Sequence, residues 1–290
     1  MPELPEVEVV KKSLKKRINK LKFTNVSIIN KKLRYEIDKR YIKKIIGHNI
    51  NNIKRRSKNI ILNLDNGESI IFHLGMTGKL TIIDEKKKII KTSFYYDQDK
   101  LDEKHNHVIF FMNKGIKLIY NDVRKFGYIK IIKTNNINQS NHFNKLGPEP
   151  FAKSFNFEYF KKIKKKRQNI KIKDLLMDQK FIAGLGNIYV NEILFFCKIN
   201  PKKKVRNLTK KDMANIIKFS RSVLKKAIQS GGSSIKDFSS SDGKSGKFQL
   251  FFNVYGKHGK NCSRRGCRAT IQRVKISNRS TFFCNLCQKY

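Results

Sequence analysis

The chain has 290 residues, with 65 Lys and Arg against 22 Asp and Glu, a formal charge of +43. A chain of this length corresponds to about two domains, burying roughly three quarters of their unfolded surface without help from disulfides. The cation excess points to nucleic acid, and a membrane protein is excluded: no apolar run approaches the roughly 18 residues of a bilayer span, and MPELPEVEVVKK lacks a secretory h-region. Part of the charge follows from a high Lys, Asn and Ile content of the kind that an AT-rich genome produces by codon bias.

In chain order, the first element is an amphipathic helix. Val7, Val10, Leu14 and Ile18 form one stripe, and Glu6 and Glu8 lie in the first turn, where the helix dipole favours acids. From about residue 23 to 133 the pattern becomes short β-branched runs. NIILNL and SIIFHL flank Asp65-Asn66-Gly67, and HVIFFM and IKLIY flank Asn113-Lys114-Gly115, so both pairs are hairpins of a sandwich or barrel. Gly147-Pro148-Glu149-Pro150 is turn chemistry, and the period beyond it is helical. Lys173 to Met177 reads as a helix, Gly184-Leu185-Gly186 breaks it, and Asn187 is placed to cap a second helix through Phe196. Thr209 and Asp212 make a capping box for a further helix with the stripe Met213, Ile216, Ile217, Leu224 and Ile228, ended by Gly231-Gly232. By composition, the Gly- and Ser-rich stretch from Gly231 to Lys247 is a linker, and the run KKIKKKR at 161–167 is a solvated face.

Two places carry chemistry. Cys262, Cys267, Cys284 and Cys287 have the spacing C-x4-C-x16-C-x2-C, and four thiolates close a tetrahedral zinc shell with no open position, hence a structural one. Cys197, on an apolar helix segment, reads as core. Arg264, Arg265, Arg268, Arg273 and Arg279 would then sit on a short rigid hairpin suited to phosphate contact. The second place is the amino terminus. Removal of Met1 would make Pro2 a free secondary amine with a pKa near 8, a nucleophile at neutral pH, with Glu3 beside it to move protons. Taken alone, Pro2 and Pro5 read first as a plain helix start.

Read together and in order, MPELPEVEVV, RRSKNIIL, HLGMTGKL, NDVRKFG, LGPEP, LLMDQKFIAGLGNIYVNEILF, GGSSIKDF, SDGKSGKF, VYGKHGKNC and the closing cysteine pairs resemble the bacterial formamidopyrimidine-DNA glycosylases over almost the whole chain. The resemblance implies an α+β fold: an N-terminal β-sandwich with a flanking helix over 1–133, a linker at 134–150, a helical DNA-binding domain with a helix–two-turn–helix motif over 151–255, and a zinc-finger β-hairpin over 256–290. It implies a bifunctional glycosylase and abasic-site lyase that excises 8-oxoguanine and formamidopyrimidines by Schiff-base chemistry and nicks the strand by β,δ-elimination.

The residues that match the family's motifs receive roles in the same way. Pro2 is the nucleophile, Glu3 the acid at the opening sugar, Lys58 the proton donor in β-elimination, and Arg279 the phosphate contact acting in δ-elimination. Met76, Arg124 and Phe126 match the wedge that fills the hole left by a flipped base. His105, Lys173 and Asn187 match DNA contacts, and residues from Ser233 to Phe248 match a loop that closes over the extruded base. One structural zinc, damaged double-stranded DNA as partner, no nucleotide cofactor, no membrane, a monomer, and a bacterial cytoplasmic location at the nucleoid complete the expectation. Three positions depart from the pattern: the first cysteine pair has four intervening residues instead of two, Asn169 replaces a lysine, and Val123 replaces a proline. Two other readings stay open here, an endonuclease VIII-like enzyme for oxidised pyrimidines and a degenerate, non-catalytic DNA binder.

Overall fold

The computed structural model describes residues 2–92, 102–233 and 248–290. The segment read as a closing loop, and the motifs GGSSIKDF and SDGKSGKF, lie for the most part outside the described residues. Two compact units emerge, one from the described residues of 1–144 and 230–247, the other from 145–229 and 248–290.

The first unit opens with α1 (Leu4–Ile18) and continues through β1 (Phe23–Ile28), α2 (Lys39–Lys43), β2 (Ile50–Arg56), β3 (Asn59–Leu64), β4 (Glu68–His73), β5 (Lys79–Ile83), β6 (Ile89–Lys91), β7 (Asn106–Met112), β8 (Lys117–Asn121) and β9 (Tyr128–Lys133). The strands form two antiparallel sheets, β2-β3-β4-β9 and β1-β7-β8-β5-β6. The expected hairpin around Asp65-Asn66-Gly67 is β3–β4, with Asn59 opposite His73, and that around Asn113-Lys114-Gly115 is β7–β8. Alternation sends Ile60, Leu62, Ile70 and Phe72 of one sheet and Val108, Phe110, Leu118 and Tyr120 of the other into a single core, where Phe72 meets Phe110 edge-on at 5.6 Å. The helix stripe Val7, Val10, Leu14 and Ile18 joins the same core, each side chain contributing about 2 kcal/mol of burial. This is the sandwich alternative of the two that the strand pattern left open.

The second unit contains α3 (Phe157–Lys166), α4 (Ile172–Met177), α5 (Asn187–Cys197), α6 (Lys210–Gln229) and the hairpin β10 (Ile271–Ile276)–β11 (Arg279–Cys284). α5 is apolar nearly all round and is buried accordingly, packing on α4, α6 and β11. The Thr209–Asp212 box is present at the start of α6: the Asp212 N–H donates to Thr209 Oγ1 (3.0 Å) and the Thr209 N–H to Asp212 Oδ2 (2.9 Å). Asn187 differs from expectation. Gly186 occupies the cap position, Asn187 is the first helical residue, and its side-chain amide donates instead to the Ser280 carbonyl of β11 (2.9 Å). The hairpin competes for the side chain that local sequence assigned to the cap.

Ser230–Ser233, which the sequence boundaries placed with the helical domain, clusters with the first unit, and Ser233 hydrogen-bonds to Glu6 of α1.

Candidate active site and metal centre

At the amino terminus the chain enters α1 with Pro2 and Glu3 buried. The Glu3 N–H, one of the orphan donors of the helix start, donates to Glu6 Oε2 (2.9 Å). Glu6 Oε1 accepts the N–H (2.8 Å) and the hydroxyl (3.0 Å) of Ser233. A carboxylate with only 1% exposure thus ties the residues that follow α6 to the backbone beside Pro2. The sequence reading took Glu6 only as an acid favoured by the helix dipole and did not foresee these bonds.

Lys58 is the second residue of the two-residue turn between β2 and β3, after Ser57, which is buried and has a left-handed φ of +56°. The charge of Lys58 reaches His73 on the neighbouring β4. Burial pushes the His73 imidazole down to about 4, and the positive charges of Lys58 and Arg34 act in the same direction. His73 Nδ1 accepts the Gly75 N–H (3.0 Å), which leaves the ring proton on Nε2, and the ring stacks on Tyr128 with centroids 5.1 Å apart.

The three expected wedge residues meet on one rim. Met76, half-buried in the turn after β4, and exposed Arg124 and Phe126 line a cleft of about 670 Å³ together with Arg34, His73, Gly75 and Lys125. The Arg124 guanidinium lies over the Phe126 ring, 4.7 Å from its centroid. Both loops are held by Asp122, which is fully buried. Its carboxylate accepts the Thr77 hydroxyl (2.5 Å), the Gly127 N–H (2.8 Å) and, at 3.3 Å, the Arg124 N–H, while the Arg124 N–H also reaches Thr77 Oγ1 (3.0 Å). The loops approach so closely that a Cβ on Gly75 would stand 2.5 Å from the Gly127 nitrogen, and one on Gly127 would meet the Tyr120 hydroxyl. Val123, at the departure from the family's proline, is exposed and takes part in none of these bonds. Half-buried His105 belongs to the same scaffold, since its carbonyl accepts the Asp122 N–H (3.1 Å) and its ring stands 3.7 Å from the Asp102 carboxylate.

The remaining expected residues lie in the second unit. Arg279 is exposed at the start of β11, directly after a hairpin turn in which Ser277 and Asn278 are both left-handed. Lys173, expected to touch DNA, is only 1% exposed. Its ammonium donates to Thr281 Oγ1 (2.5 Å) and reaches the Ser280 carbonyl (3.5 Å), and burial pushes its pKa down to about 8. Lys173 and Asn187 therefore converge on the carbonyl of Ser280, the residue after Arg279. Asn191 adds a third tie by accepting the Phe282 N–H (2.8 Å). Of the five finger arginines, Arg265, Arg268, Arg273 and Arg279 are exposed, but Arg264 folds inward. It donates to the Phe195 carbonyl and lies over the Phe195 ring, 4.5 Å from its centroid, because α5 offers an aromatic face there.

The sulfur atoms of Cys262, Cys267, Cys284 and Cys287 all lie within 4.8 Å of one another, with Cys262–Cys287 at 3.9 Å and Cys267–Cys284 at 3.7 Å. A tetrahedral shell with Zn–S of about 2.3 Å has S–S edges of about 3.8 Å, so these residues fit zinc. Backbone N–H groups of Arg264 and Ala269 donate to the sulfurs of Cys262 and Cys267, the pattern that stabilises metal-bound thiolates. Gly266, at φ +77°, lets the longer first knuckle bulge without displacing either sulfur. Glu192 of α5, missed from sequence, anchors the approach to this site. Its fully buried carboxylate accepts the backbone N–H groups of Asn253, Val254 and Tyr255 (2.9–3.0 Å) and the Asn253 side chain (3.1 Å). An acid inside the apolar run YVNEILFF was the available signal.

Comparison with known proteins yields three family matches: the formamidopyrimidine-DNA glycosylase N-terminal domain over residues 1–129, the formamidopyrimidine-DNA glycosylase H2TH domain over 146–239, and the zinc finger found in FPG and IleRS over 259–289. Similar curated proteins include the formamidopyrimidine-DNA glycosylases of Rickettsia africae, 41% identical over 288 residues with 99% of each chain covered, and of Ruegeria pomeroyi, 37% identical over 289 residues with 100% of each covered. Among solved structures, the Lactococcus lactis protein in complex with DNA containing an abasic site superposes with a TM-score of 0.85 at 36% identity, covering 99% of this chain and 100% of the other. A mutant of that protein in complex with Fapy-dG DNA gives 0.86 at 36% identity, with full coverage of both chains.

Proposed function

The chain belongs to the formamidopyrimidine-DNA glycosylase family, and from that premise we propose how its own residues carry the reaction. The protein is a DNA repair enzyme, a bifunctional glycosylase and abasic-site lyase that removes oxidised purines from damaged DNA and nicks the strand. It carries a zinc-finger motif whose four cysteines would hold one structural zinc.

In the proposed sequence of steps, loss of Met1 frees the Pro2 amine, whose lone pair attacks C1′ as the N-glycosidic bond breaks and the base departs with the bonding electrons. The amine gives up its proton, and Glu3 protonates O4′ as the sugar ring opens, leaving an iminium between Pro2 and C1′. That electron sink acidifies the 2′ hydrogen. Its transfer to solvent water expels the 3′ phosphate, with Lys58 protonating the departing oxygen, and transfer of the 4′ proton to water in a second elimination expels the 5′ phosphate, with Arg279 on the departing oxygen. Met76, Arg124 and Phe126 occupy the space of the extruded base, the guanidinium donating to the orphaned cytosine. His105 and Asn187 face the DNA backbone, and Lys173 is assigned to the same contact surface through Arg279. Cys262, Cys267, Cys284 and Cys287 would supply the thiolates, and a zinc ion held by them would add a redox-inert cross-link that keeps the hairpin rigid.

The observation that carries this reading is the rim of the first unit, where Met76, Arg124 and Phe126 meet beside the Lys58 turn and His73. The domain scheme 1–133, 151–255 and 256–290 belongs to the same proposal, as do action on duplex DNA, a monomeric state, independence of nucleotide cofactors and a bacterial cytoplasmic location at the nucleoid. No helix among the described residues is long and apolar enough to cross a membrane.

Borohydride trapping tests the proposal. On a duplex with 8-oxoguanine opposite cytosine, the protein shown by intact mass to begin at Pro2 gives a covalent adduct, and peptide mapping places the cross-link on Pro2. Trapping on a thymine glycol duplex in preference to 8-oxoguanine would assign the site to oxidised pyrimidines instead.

A further inference from the structure

Lys58 has a flexible four-carbon stem, so the placement of its ammonium depends on how firmly its turn is held. Among the described contacts, Arg55, Glu8 and Lys11 form a chain that braces it. Arg55 Nη1 donates to the Ser57 carbonyl (2.9 Å), bracing a turn whose non-glycine residue sits at φ +56°. Arg55 Nε donates to Glu8 Oε2 (2.8 Å), and the other Glu8 oxygen pairs with Lys11 (2.6 Å). Glu8 lies in the second turn of the helix that begins immediately after Pro2 and Glu3, not in the first turn where the sequence pattern placed it beside Glu6. The side chains of Arg55 and Glu8 are only 10% and 14% exposed, so the pair is shielded from solvent screening. Both Glu8 partners, through hydrogen bonds and charge, draw its carboxyl below the usual range against the opposing effect of burial, and it stays ionised at neutral pH.

We propose that Glu8 and Arg55 are positioning residues that fix the Lys58 ammonium relative to the Pro2 amine, so that proton transfer during β-elimination begins from a set geometry. The inference rests on the roles proposed above for Pro2 and Lys58. The planar guanidinium suits this task because one edge grips the helix and the other the turn carbonyl; lysine at position 55 would supply charge but not two fixed donors. A misplacement of about 1 Å in such a pair costs up to about 100-fold in rate, and partial loosening of the turn costs less.

The experiment is single-turnover strand cleavage on a duplex with a preformed abasic site, with borohydride trapping measured in parallel. Wild type, Glu8→Gln, Arg55→Lys, Arg55→Ala, Lys58→Ala and the double variant Arg55→Ala with Lys58→Ala are compared, each checked for its melting temperature. Arg55→Ala is expected to slow cleavage roughly tenfold while trapping changes less than about twofold. Arg55→Lys and Glu8→Gln fall between it and wild type. In the Lys58→Ala background, Arg55→Ala is expected to add less than about twofold, because the group that it positions is gone. Equal slowing by Arg55→Ala in both backgrounds, or none in either, overturns the clamp while leaving the Lys58 role intact. Wild-type cleavage by Lys58→Ala alone overturns the role of Lys58, and the clamp with it. If Arg55→Ala fails to fold, Glu8→Gln, nearly identical in shape, decides the matter by the same comparison in the two backgrounds.

Discussion

The hydroxyl of Thr77 donates to the buried carboxylate of Asp122, and this bond joins the turn carrying Met76 to the loop carrying Arg124 and Phe126. Because Asp122 also accepts the Gly127 and Arg124 N–H groups, one side chain sets the spacing of the three residues proposed above as the wedge. Removing it leaves buried donors unsatisfied at about 1–3 kcal/mol each.

Asp122→Ala is therefore expected to lower the melting temperature by several degrees and to slow base excision more than strand cleavage. Only excision requires the wedge to occupy the stack. Single-turnover rates on an 8-oxoguanine duplex and on a preformed abasic site, compared for the variant and wild type, check this. Equal slowing on both substrates would show that Asp122 supports the fold without serving the wedge.

How much of this was legible in sequence depends on the range of each interaction. The β3–β4 hairpin, the Thr209–Asp212 box and the cysteine spacing are local, and each announced itself within a few residues. Motif order singled out Pro2, Lys58 and Arg279 as candidates but gave no hint of what holds them. The carboxylates that organise the site, Glu6, Asp122 and Glu192, bond to groups up to 227 residues away in the chain. Their pairing depends on which backbone N–H groups the fold leaves without partners, and no spacing rule contains that. The same limit explains Asn187, whose local preference for a cap lost to a carbonyl on β11, and Arg264, whose charge turned inward onto Phe195.

His73 supplies a pH dependence. Its imidazole is held at about 4 in the folded protein, chiefly by burial, against 6.5 for the free side chain. Between those values the unfolded chain binds a proton that the folded chain excludes. The stability linked to His73 is therefore fully present above about pH 6.5 and declines as the pH falls toward 4. His73→Gln, which keeps an acceptor for the Gly75 N–H, should lose less melting temperature than wild type across that window. Parallel melting curves for the two proteins would remove His73 as the source.

Lys173 and Arg279 offer the sharpest separation between holding and touching. Lys173 is buried with its ammonium on Thr281 and Ser280, whereas Arg279, adjacent to Ser280, is exposed on the hairpin. A cation that neutralises a phosphate contributes about 0.9 to the slope of log K against log salt concentration, and a cation that merely fixes the hairpin contributes nothing to it. Arg279→Ala should weaken binding to an abasic-site duplex and reduce that slope by about 1. Lys173→Met should weaken binding at every salt concentration while leaving the slope unchanged, because it loosens the β11 backbone without removing a phosphate contact. Titrations of both variants at four or more salt concentrations decide the matter, and a reduced slope for Lys173→Met would return that residue to direct contact with DNA.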